Sequence, residues 1–333
     1  MDTTAIKTYF TNLSTKNQDS LLVTLTTIKS NSDFQLIDIR KKKFNEKQGV
    51  CPHCEHVKYV KMGMDKGVQR YKCKECKRTF TPFTGTWMAQ IHKKEKLADY
   101  LKLMQQGLSL DKIRLKIGIN KKTAFDWRHK ITTALEQSES EKFLGITESD
   151  ETFFLHSEKG SGKIRSKSRK RGKQIKTRGI SNEQVSVIVS ADRKGEISLN
   201  LACIGRITKD DIAKAIGNKI SLQTVLCTDG HYSYKGFAMD NKLEHHISKA
   251  KKFTKGKFHI QNINSLHSRL KKWINRDLYG VSTKYLQNYL NWFRYKEKFK
   301  KTDYMIKLIE LSLNNTTARD KYLNNINNNA ILN

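Results

Sequence analysis

Residues 224–234, TVLCTDGHYSY, combine a short apolar run with an acidic residue and a glycine. An apolar run of this length that is bounded by turn residues is typical of a buried β-strand. The stretch therefore predicts a strand that ends at Asp229 and Gly230, with a carboxylate at its carboxyl end. Asp229 is the first candidate site residue.

The segments on either side of this strand predict one mixed sheet with helices. Residues 144–155, LGITESDETFFL, predict a strand with Asp150 near its middle, and residues 184–203 predict a hairpin that turns at 192–195. A helix is expected at about 208–218, and residues 258–276, FHIQNINSLHSRLKKWINR, have the apolar spacing of an amphipathic helix. The fold class is therefore α+β multidomain, with an α/β domain in the second half of the chain.

Composition and charge restrict the class of partner. The 333 residues carry a formal net charge of +32, and 37% of them are hydrophobic, which is enough to form folded cores. The excess is concentrated in residues 51–143 (+10) and 144–300 (+18), which indicates a polyanion such as nucleic acid as the partner. Neither an apolar run of about 18 residues nor a secretory signal is visible, so we expect an intracellular protein without a membrane span.

Four of the six cysteines form two CxxC pairs, Cys51-Cys54 and Cys73-Cys76. Two such pairs complete the tetrahedral sulfur cage that Zn²⁺ favours, and the alternating stretch between them predicts a β-hairpin that turns at 65–67. Residues 46–86 therefore predict a zinc ribbon. Because sulfur fills all four positions, the zinc is structural; a redox pair or buried thiols are the alternatives.

The region after the ribbon, 87–140, predicts three helices with tight turns. Ser109 and Asn120 stand at N-cap positions, and Gly107 and Gly118 stand where helices end. A recognition helix would carry basic residues that face DNA, and the last helix carries Lys121, Lys122, Arg128 and Lys130. We expect a helix-turn-helix DNA-binding domain; a plain helical bundle with a solvated basic face is the alternative.

The rest of the chain divides into three further segments. Residues 1–45 predict a helical N-terminal unit, 141–300 the α/β domain, and 301–333 a low-complexity, Asn-rich tail. The α/β domain contains a basic insertion, 157–180, which predicts a mobile loop or an extended hairpin that contacts the DNA backbone. Its candidate DNA-binding residues are Arg165, Lys167, Arg169, Lys170, Arg171 and Lys173. A solvated loop without a partner is the alternative.

Asp150 and Asp229 point to metal-dependent chemistry. Two carboxylates from neighbouring strands, together with an oxygen ligand from the following helix, are the donor set that a pair of Mg²⁺ ions requires. Two such ions can stabilise both the attacking and the leaving oxygen when a phosphodiester is displaced. The sequence therefore predicts a two-metal site that holds Mg²⁺ or Mn²⁺.

Three motifs give the chain a resemblance to a known family. Asp150-Glu-Thr, Thr228-Asp-Gly with Tyr234, and His259-Ile-Gln-Asn262-Ile-Asn264-Ser resemble the DDE-type insertion-sequence transposases that carry an N-terminal zinc ribbon and are related to the Merlin group. The resemblance implies an RNase H-like catalytic domain, Asn264 as the third metal ligand, and Lys271 as a catalytic residue seven positions later. Within the third motif, His259 and Asn262 are expected to contact DNA.

The resemblance also implies partners and a place in the cell. We expect binding to double-stranded DNA, both element ends and target, followed by metal-dependent cleavage and strand transfer. A homo-oligomer is expected in the DNA complex because two ends must be brought together. The expected location is the cytoplasm of a prokaryotic cell, in association with the nucleoid.

Asn264 leaves alternatives open because an amide brings no negative charge to the metals. Glu244 and Asp277 are possible replacement acids, ranked below Asn264, and Glu151 should point to the sheet face opposite Asp150. Two other functions remain: a catalytically inactive DNA-binding regulator derived from a transposase, and a structure-specific nuclease.

Overall fold

A computed structural model of the protein describes residues 8, 10–15, 17–18, 40–42, 44–45, 49–65, 67–135, 141–160, 179–221, 223–248 and 256–300. The chain divides into two compact units, Met1–Leu103 and Met104–Asn333. Most of the expected N-terminal unit, the centre of the basic insertion and the whole tail 301–333 lie outside the described residues.

The first unit contains the expected hairpin between the cysteine pairs. Strands β1 (Tyr59–Asp65), β2 (Val68–Cys73) and β3 (Thr79–Phe80) form an antiparallel sheet in that order. Gly67 has a φ of 76°, the left-handed conformation that a glycine adopts without strain in a tight turn. A small aromatic core packs with the cysteines and consists of Phe44, Tyr59, Tyr71 and Phe80.

Three helices follow a short 3₁₀ turn, Lys94–Lys96: α1 (Leu97–Gln105), α2 (Leu110–Ile117) and α3 (Lys121–Ala134). The expected caps are present. The Ser109 side chain accepts a hydrogen bond from the Lys112 amide, the Asn120 side chain accepts one from the Lys122 amide, and Gly118 ends α2 at a φ of 63°. Side-chain caps satisfy amides that the first turn of a helix leaves without a partner.

The second unit contains a mixed sheet, as the sequence predicted, but with five strands, because the sequence analysis did not expect Glu244–Ile247. Its strands are β4 (Gly145–Leu155), β5 (Gln184–Asp192), β6 (Ile197–Ile204), β7 (Thr224–Thr228) and β8 (Glu244–Ile247), in the spatial order β6-β5-β4-β7-β8. Strands β4, β5 and β6 are antiparallel neighbours, whereas β7 is parallel to both β4 and β8.

Four helices complete the second unit: α4 (Lys209–Ile216), α5 (Tyr232–Asp240), α6 (Gln261–Lys271) and α7 (Thr283–Lys298). Helix α6 continues into a π-helical turn, Lys272–Asp277, and buries the apolar residues that the sequence assigned to it. Helices α4 and α5 pack on one face of the sheet around Tyr234 and Phe237. Helix α7, which the sequence analysis did not predict, packs against α3 and β6. Within the described residues, none of the helices has the length and apolarity needed to cross a membrane.

Candidate active site

The two predicted aspartates lie on neighbouring strands, Asp150 in the middle of β4 and Asp229 just past the end of β7. Strand β4 runs parallel to β7, and Glu148 is the register partner of Cys227. Asp150 and Asp229 each lie two residues beyond this pair, so they are neighbours across the two strands. Asp150 is largely buried, whereas Asp229 is exposed just past the end of β7. The sheet therefore brings together the two carboxylates that the sequence analysis selected.

The turn after β7 explains why Asp229 is followed by a glycine. Gly230 has a φ of 94°, and a Cβ at this position would lie 2.5 Å from Cγ2 of Ile247. The Asp229 carboxylate accepts a hydrogen bond from the His231 amide at 3.0 Å, which begins the turn into α5. A larger residue at 230 would therefore displace the turn that carries Asp229.

Like charges interact at this end of the sheet. Burial raises the pKa of Asp150 to about 7, with further contributions from the charges of Glu151 and Asp229, while Lys271 opposes the shift. Burial also raises the pKa of Glu151 to about 7, and the charge of Asp229 adds to the effect. The three carboxylates are therefore within electrostatic reach of one another.

Glu151 is closer to the site than the sequence analysis expected. Alternation along β4 does place it on the face of Ser149, whose hydroxyl contacts Ser190 and Tyr234, and thus opposite Asp150. Its Oε2 atom is nevertheless buried without a hydrogen-bond partner among the described residues, and the charge of Asp229 helps to raise its pKa. The expected orientation is right, but Glu151 contributes to the charge of the site.

Helix α6 presents a line of polar side chains toward Asp150. His267 Nδ1 lies 3.9 Å from Asp150 Oδ2, and the charge of Lys271 acts on the same carboxylate. Burial lowers the pKa of His267 to about 4, so the imidazole is neutral at physiological pH. Asn264 is exposed one turn earlier, and residues at i, i+3 and i+7 share one side of a helix. The sequence analysis missed His267.

The beginning of α6 is held by a buried carboxylate that the sequence analysis also missed. Glu148, which is 1% exposed, accepts hydrogen bonds from the Asn262 amide at 2.9 Å, from Asn262 Nδ2 at 2.6 Å and from the Ile263 amide at 3.2 Å. Arg193 Nη2 donates to it at 3.2 Å, and His259 Nδ1 lies 3.5 Å from it. Glu148 thus supplies the cap that the helix lacks from its own residues.

These contacts give a structural role to two of the predicted DNA-binding residues. His259 and Asn262 were predicted to bind DNA, but both side chains contact Glu148, and His259 Nε2 also lies 3.2 Å from Arg193 Nη2. Asn262 Nδ2 donates to this buried carboxylate, whereas His259 Nδ1 accepts a hydrogen bond from the Gln261 amide at 3.3 Å. Asn262 is nevertheless exposed, so the contact of these two residues with DNA stays a prediction.

The two replacement acids do not join the aspartates. Glu244 is the register partner of Val225, four residues before Asp229, which at about 3.3 Å per residue is roughly 13 Å away along the strand. Its carboxylate lies 2.6 Å from His246 Nε2. Asp277 is exposed at the end of the π-helical turn. Asn264 therefore remains the candidate third ligand.

The basic residues of α3 fall into two groups. Lys121 and Lys122 are exposed in the first turn, with Lys121 2.8 Å from Asp111, and Lys130 is half-buried. Arg128 is only 1% exposed, donates to the Leu108 carbonyl at 2.7 Å and lies 5.1 Å from the Trp292 ring centroid. The DNA-contact prediction is thus wrong for Arg128, because its guanidinium packs inside the protein. The six predicted residues of the basic insertion, 165–173, lie outside the described residues.

The four predicted zinc ligands come together. One ligand atom from each of Cys51, Cys54, Cys73 and Cys76 lies within 4.8 Å of the others, and the Cys51–Cys76 and Cys54–Cys73 sulfur pairs are each 3.7 Å apart. Zinc–sulfur bonds of about 2.3 Å in a tetrahedron place sulfurs about 3.8 Å apart. The cluster therefore fits one Zn²⁺ ion.

The residues near Asp150 fit hard divalent cations. The donors are carboxylates and one amide oxygen, as Mg²⁺ and Mn²⁺ prefer, and the buried Oε2 of Glu151 has no hydrogen-bond partner. The charges of Glu151 and Asp229 help to raise the pKa of Asp150, and a cation among these carboxylates would relieve their repulsion.

The strand order and the paired aspartates define an α/β domain with an acidic site between the middle of β4 and the end of β7. Residues 142–298, which contain this site, match the ISXO2-like transposase domain. A relative in Halobacterium salinarum, described as an uncharacterized protein in transposable element ISH50, is 26% identical over 258 residues, or 75% of this chain and 86% of that protein. These matches confirm the resemblance to insertion-sequence transposases.

Proposed function

We propose that the protein is a transposase that binds the ends of its own insertion sequence and then cuts and joins DNA. The observation that carries this proposal is the pair Asp150 and Asp229, which lie side by side on adjacent parallel strands within the residues that match a transposase domain. The sheet order β6-β5-β4-β7-β8 supports an RNase H-like assignment for this domain.

The net charge of +32 supports DNA as the substrate. We assign end recognition to the zinc ribbon and to the first turn of α3, where Lys121 and Lys122 are exposed. The basic insertion, which starts just past β4, would contact the DNA backbone and so add affinity without sequence preference. Two copies of the chain would hold the two ends of one element.

Asp150, Asp229 and the amide oxygen of Asn264 would hold two Mg²⁺ or Mn²⁺ ions, with Glu151 adding negative charge nearby. The bound ions would lower the pKa of a water and stabilise charge on the phosphate oxygens. Lys271 lies on the Asp150 side of α6 and would bind a non-bridging oxygen of the scissile phosphate.

The proposed reaction has two displacements at phosphorus. In the first, a water oxygen bonds to phosphorus, the bond from phosphorus to the 3′ oxygen breaks, and that oxygen leaves as a 3′-hydroxyl. In the second, this hydroxyl attacks a phosphodiester of the target, so that one bond forms and one breaks without a covalent protein intermediate. His267 would orient the Asp150 carboxylate during both steps.

The test is Mg²⁺-dependent cleavage of a duplex that carries the element end. The variants Asp150→Ala and Asp229→Ala should cleave at least about 1,000-fold more slowly and bind the duplex with nearly unchanged affinity. Asp240→Ala is the matched control, because Asp240 is an exposed aspartate that pairs with Lys209 on α4. Cleavage retained in both site variants would contradict the assignment.

The same assay separates the alternatives. If the wild-type protein binds ends but never nicks them with Mg²⁺ or Mn²⁺, it is an inactive DNA-binding regulator. The neutral side chain of Asn264 is the reason to consider this alternative. A protein that cuts branched DNA regardless of the end sequence, and never joins strands, is the structure-specific nuclease.

A further inference from the structure

Glu148 is a buried acid that the proposed reaction does not use. It is 1% exposed and lies two residues before Asp150, on the same face of β4. Its hydrogen-bond partners come from the first turn of α6 and from Arg193 in the β5–β6 hairpin. It therefore joins one catalytic strand to the helix that carries the candidate third ligand.

The contacts fix the direction and the register of α6 against β4. Glu148 holds the helix at Asn262 and Ile263, and Asp150 meets it at His267. From Ile263 to His267 a helix rises about 6 Å, and from Glu148 to Asp150 a strand advances about 6.6 Å. Because the two lengths match, the helix runs alongside the strand, and two contacts are enough to set its position.

This register decides where the polar line of α6 points. Asn264 directly follows Ile263, whose amide Glu148 holds, and at about 100° per residue His267 and Lys271 return to within about 60° of it. A helix that rotated by one residue would turn this line away from Asp150. The N-terminal amides carry partial positive charge, so a carboxylate is well suited to hold them.

We propose that Glu148 is a positioning residue that anchors the first turn of α6 so that Asn264 and Lys271 face Asp150. The proposal rests on the proposed function in one respect, the role of Asn264 as a ligand. His259 and Asn262 belong to this anchor through their contacts with Glu148. Arg193 is the cation that pairs with the buried carboxylate.

The first measurement is hydrogen exchange at the Asn262 and Ile263 amides in the full-length protein without DNA. The variant Glu148→Gln should exchange at least about 10-fold faster at these two backbone amides. The neutral glutamine side chain accepts weaker hydrogen bonds than a carboxylate does. Glu196→Gln is the matched control, because Glu196 is also a buried glutamate with an ion pair, to Lys298, and has no contact with α6 among the described residues. Unchanged exchange in Glu148→Gln would overturn the anchor.

The second measurement is Mn²⁺ binding by the same proteins, followed by electron paramagnetic resonance. We expect Glu148→Gln to weaken Mn²⁺ binding by about 10-fold, as the loss of groups that orient metal ligands commonly does, and Glu196→Gln to leave it unchanged. In the Asn264→Ala background, Glu148→Gln should weaken binding by less than about 2-fold, because the ligand that it positions is already absent. If the fold-losses of Mn²⁺ affinity in the two single variants multiply in the double variant, Glu148 does not act through Asn264.

Asn262→Ala is the second variant if Glu148→Gln does not fold. It removes one donor and leaves the buried charge, so we expect the same changes at about a third of the size or less. Weaker DNA binding by Asn262→Ala with unchanged Mn²⁺ affinity and exchange would overturn the anchor and favour a DNA contact. A wild-type protein that binds no Mn²⁺ would contradict the proposed metal site instead, and the exchange measurement would still decide whether Glu148 holds the helix.

Discussion

Arg128 and the exposed lysines of α3 should respond in opposite ways to mutation. Arg128→Met removes a charge-assisted hydrogen bond to the Leu108 carbonyl and a contact with the Trp292 ring. These interactions are worth about 1.5–3 and about 2 kcal/mol, and the methionine recovers part of the packing, so we expect a loss of about 2–4 kcal/mol. For a unit of this size, the melting temperature should fall by roughly 5–12 °C.

The matching experiment measures the salt dependence of duplex binding. Lys121→Ala with Lys122→Ala removes two exposed charges, and each phosphate contact contributes about 0.9 to the slope of log K against log salt. We expect the slope to shrink by about 1 to 2, with almost no change in melting temperature. Arg128→Met should leave the slope unchanged at a temperature where it is folded. A smaller slope in Arg128→Met, without a lower melting temperature, would refute the interior assignment of Arg128.

Three further predictions concern the turn, a buried histidine and the zinc. Gly230→Ala should lower stability by about 1–3 kcal/mol and slow cleavage, because the new Cβ meets Ile247; Ile247→Ala in addition should restore part of both in melting and cleavage assays. Burial lowers the pKa of His129 to about 3 from an unfolded value of about 6.5, so the unfolded state takes up the proton first as the pH is lowered. The free energy of unfolding should therefore decrease by about 2 kcal/mol between pH 7 and pH 5. Urea unfolding of His129→Gln should show no such decrease. Removal of about one zinc ion per chain by a chelator should abolish the near-ultraviolet dichroism of the Tyr71 ring, whereas a chelator-treated protein with an unchanged signal would contradict a structural role.

Local patterns were sufficient for the elements that have a local cause. The CxxC spacing predicted the sulfur cluster, the alternation around 65–67 predicted the hairpin, and Ser109 and Asn120 marked the beginnings of their helices correctly. The paired aspartates were predictable because each follows or occupies a recognisable strand. In each of these cases the individual motif, cap or strand is defined by residues that lie close together in the sequence.

One missed feature, helix α7, has a local cause: Leu286, Tyr289, Leu290 and Phe293 recur at helical spacing and are buried, so the sequence analysis overlooked a periodic pattern. Two other missed features depend on distant partners. Glu148 resembles an ordinary strand acid until the first turn of α6, 114 residues later, lies against it. In the sequence, Arg128 looks like one more exposed base of α3, because its ring partner Trp292 is remote along the chain.

The neutral third ligand is the strongest reason to doubt catalysis, and the charges around it weaken that reason. An acidic residue at 264 would join Asp150, Glu151 and Asp229, and the charge of Asp229 already adds to the raised pKa of both Asp150 and Glu151. A fourth carboxylate there would add repulsion, which the charge of Lys271 opposes at Asp150. With asparagine at 264, the proposed site would keep three negative charges, from Asp150, Glu151 and Asp229, for two divalent ions. On this reasoning Asn264 is compatible with metal binding, and the inactive regulator needs evidence other than the identity of this residue.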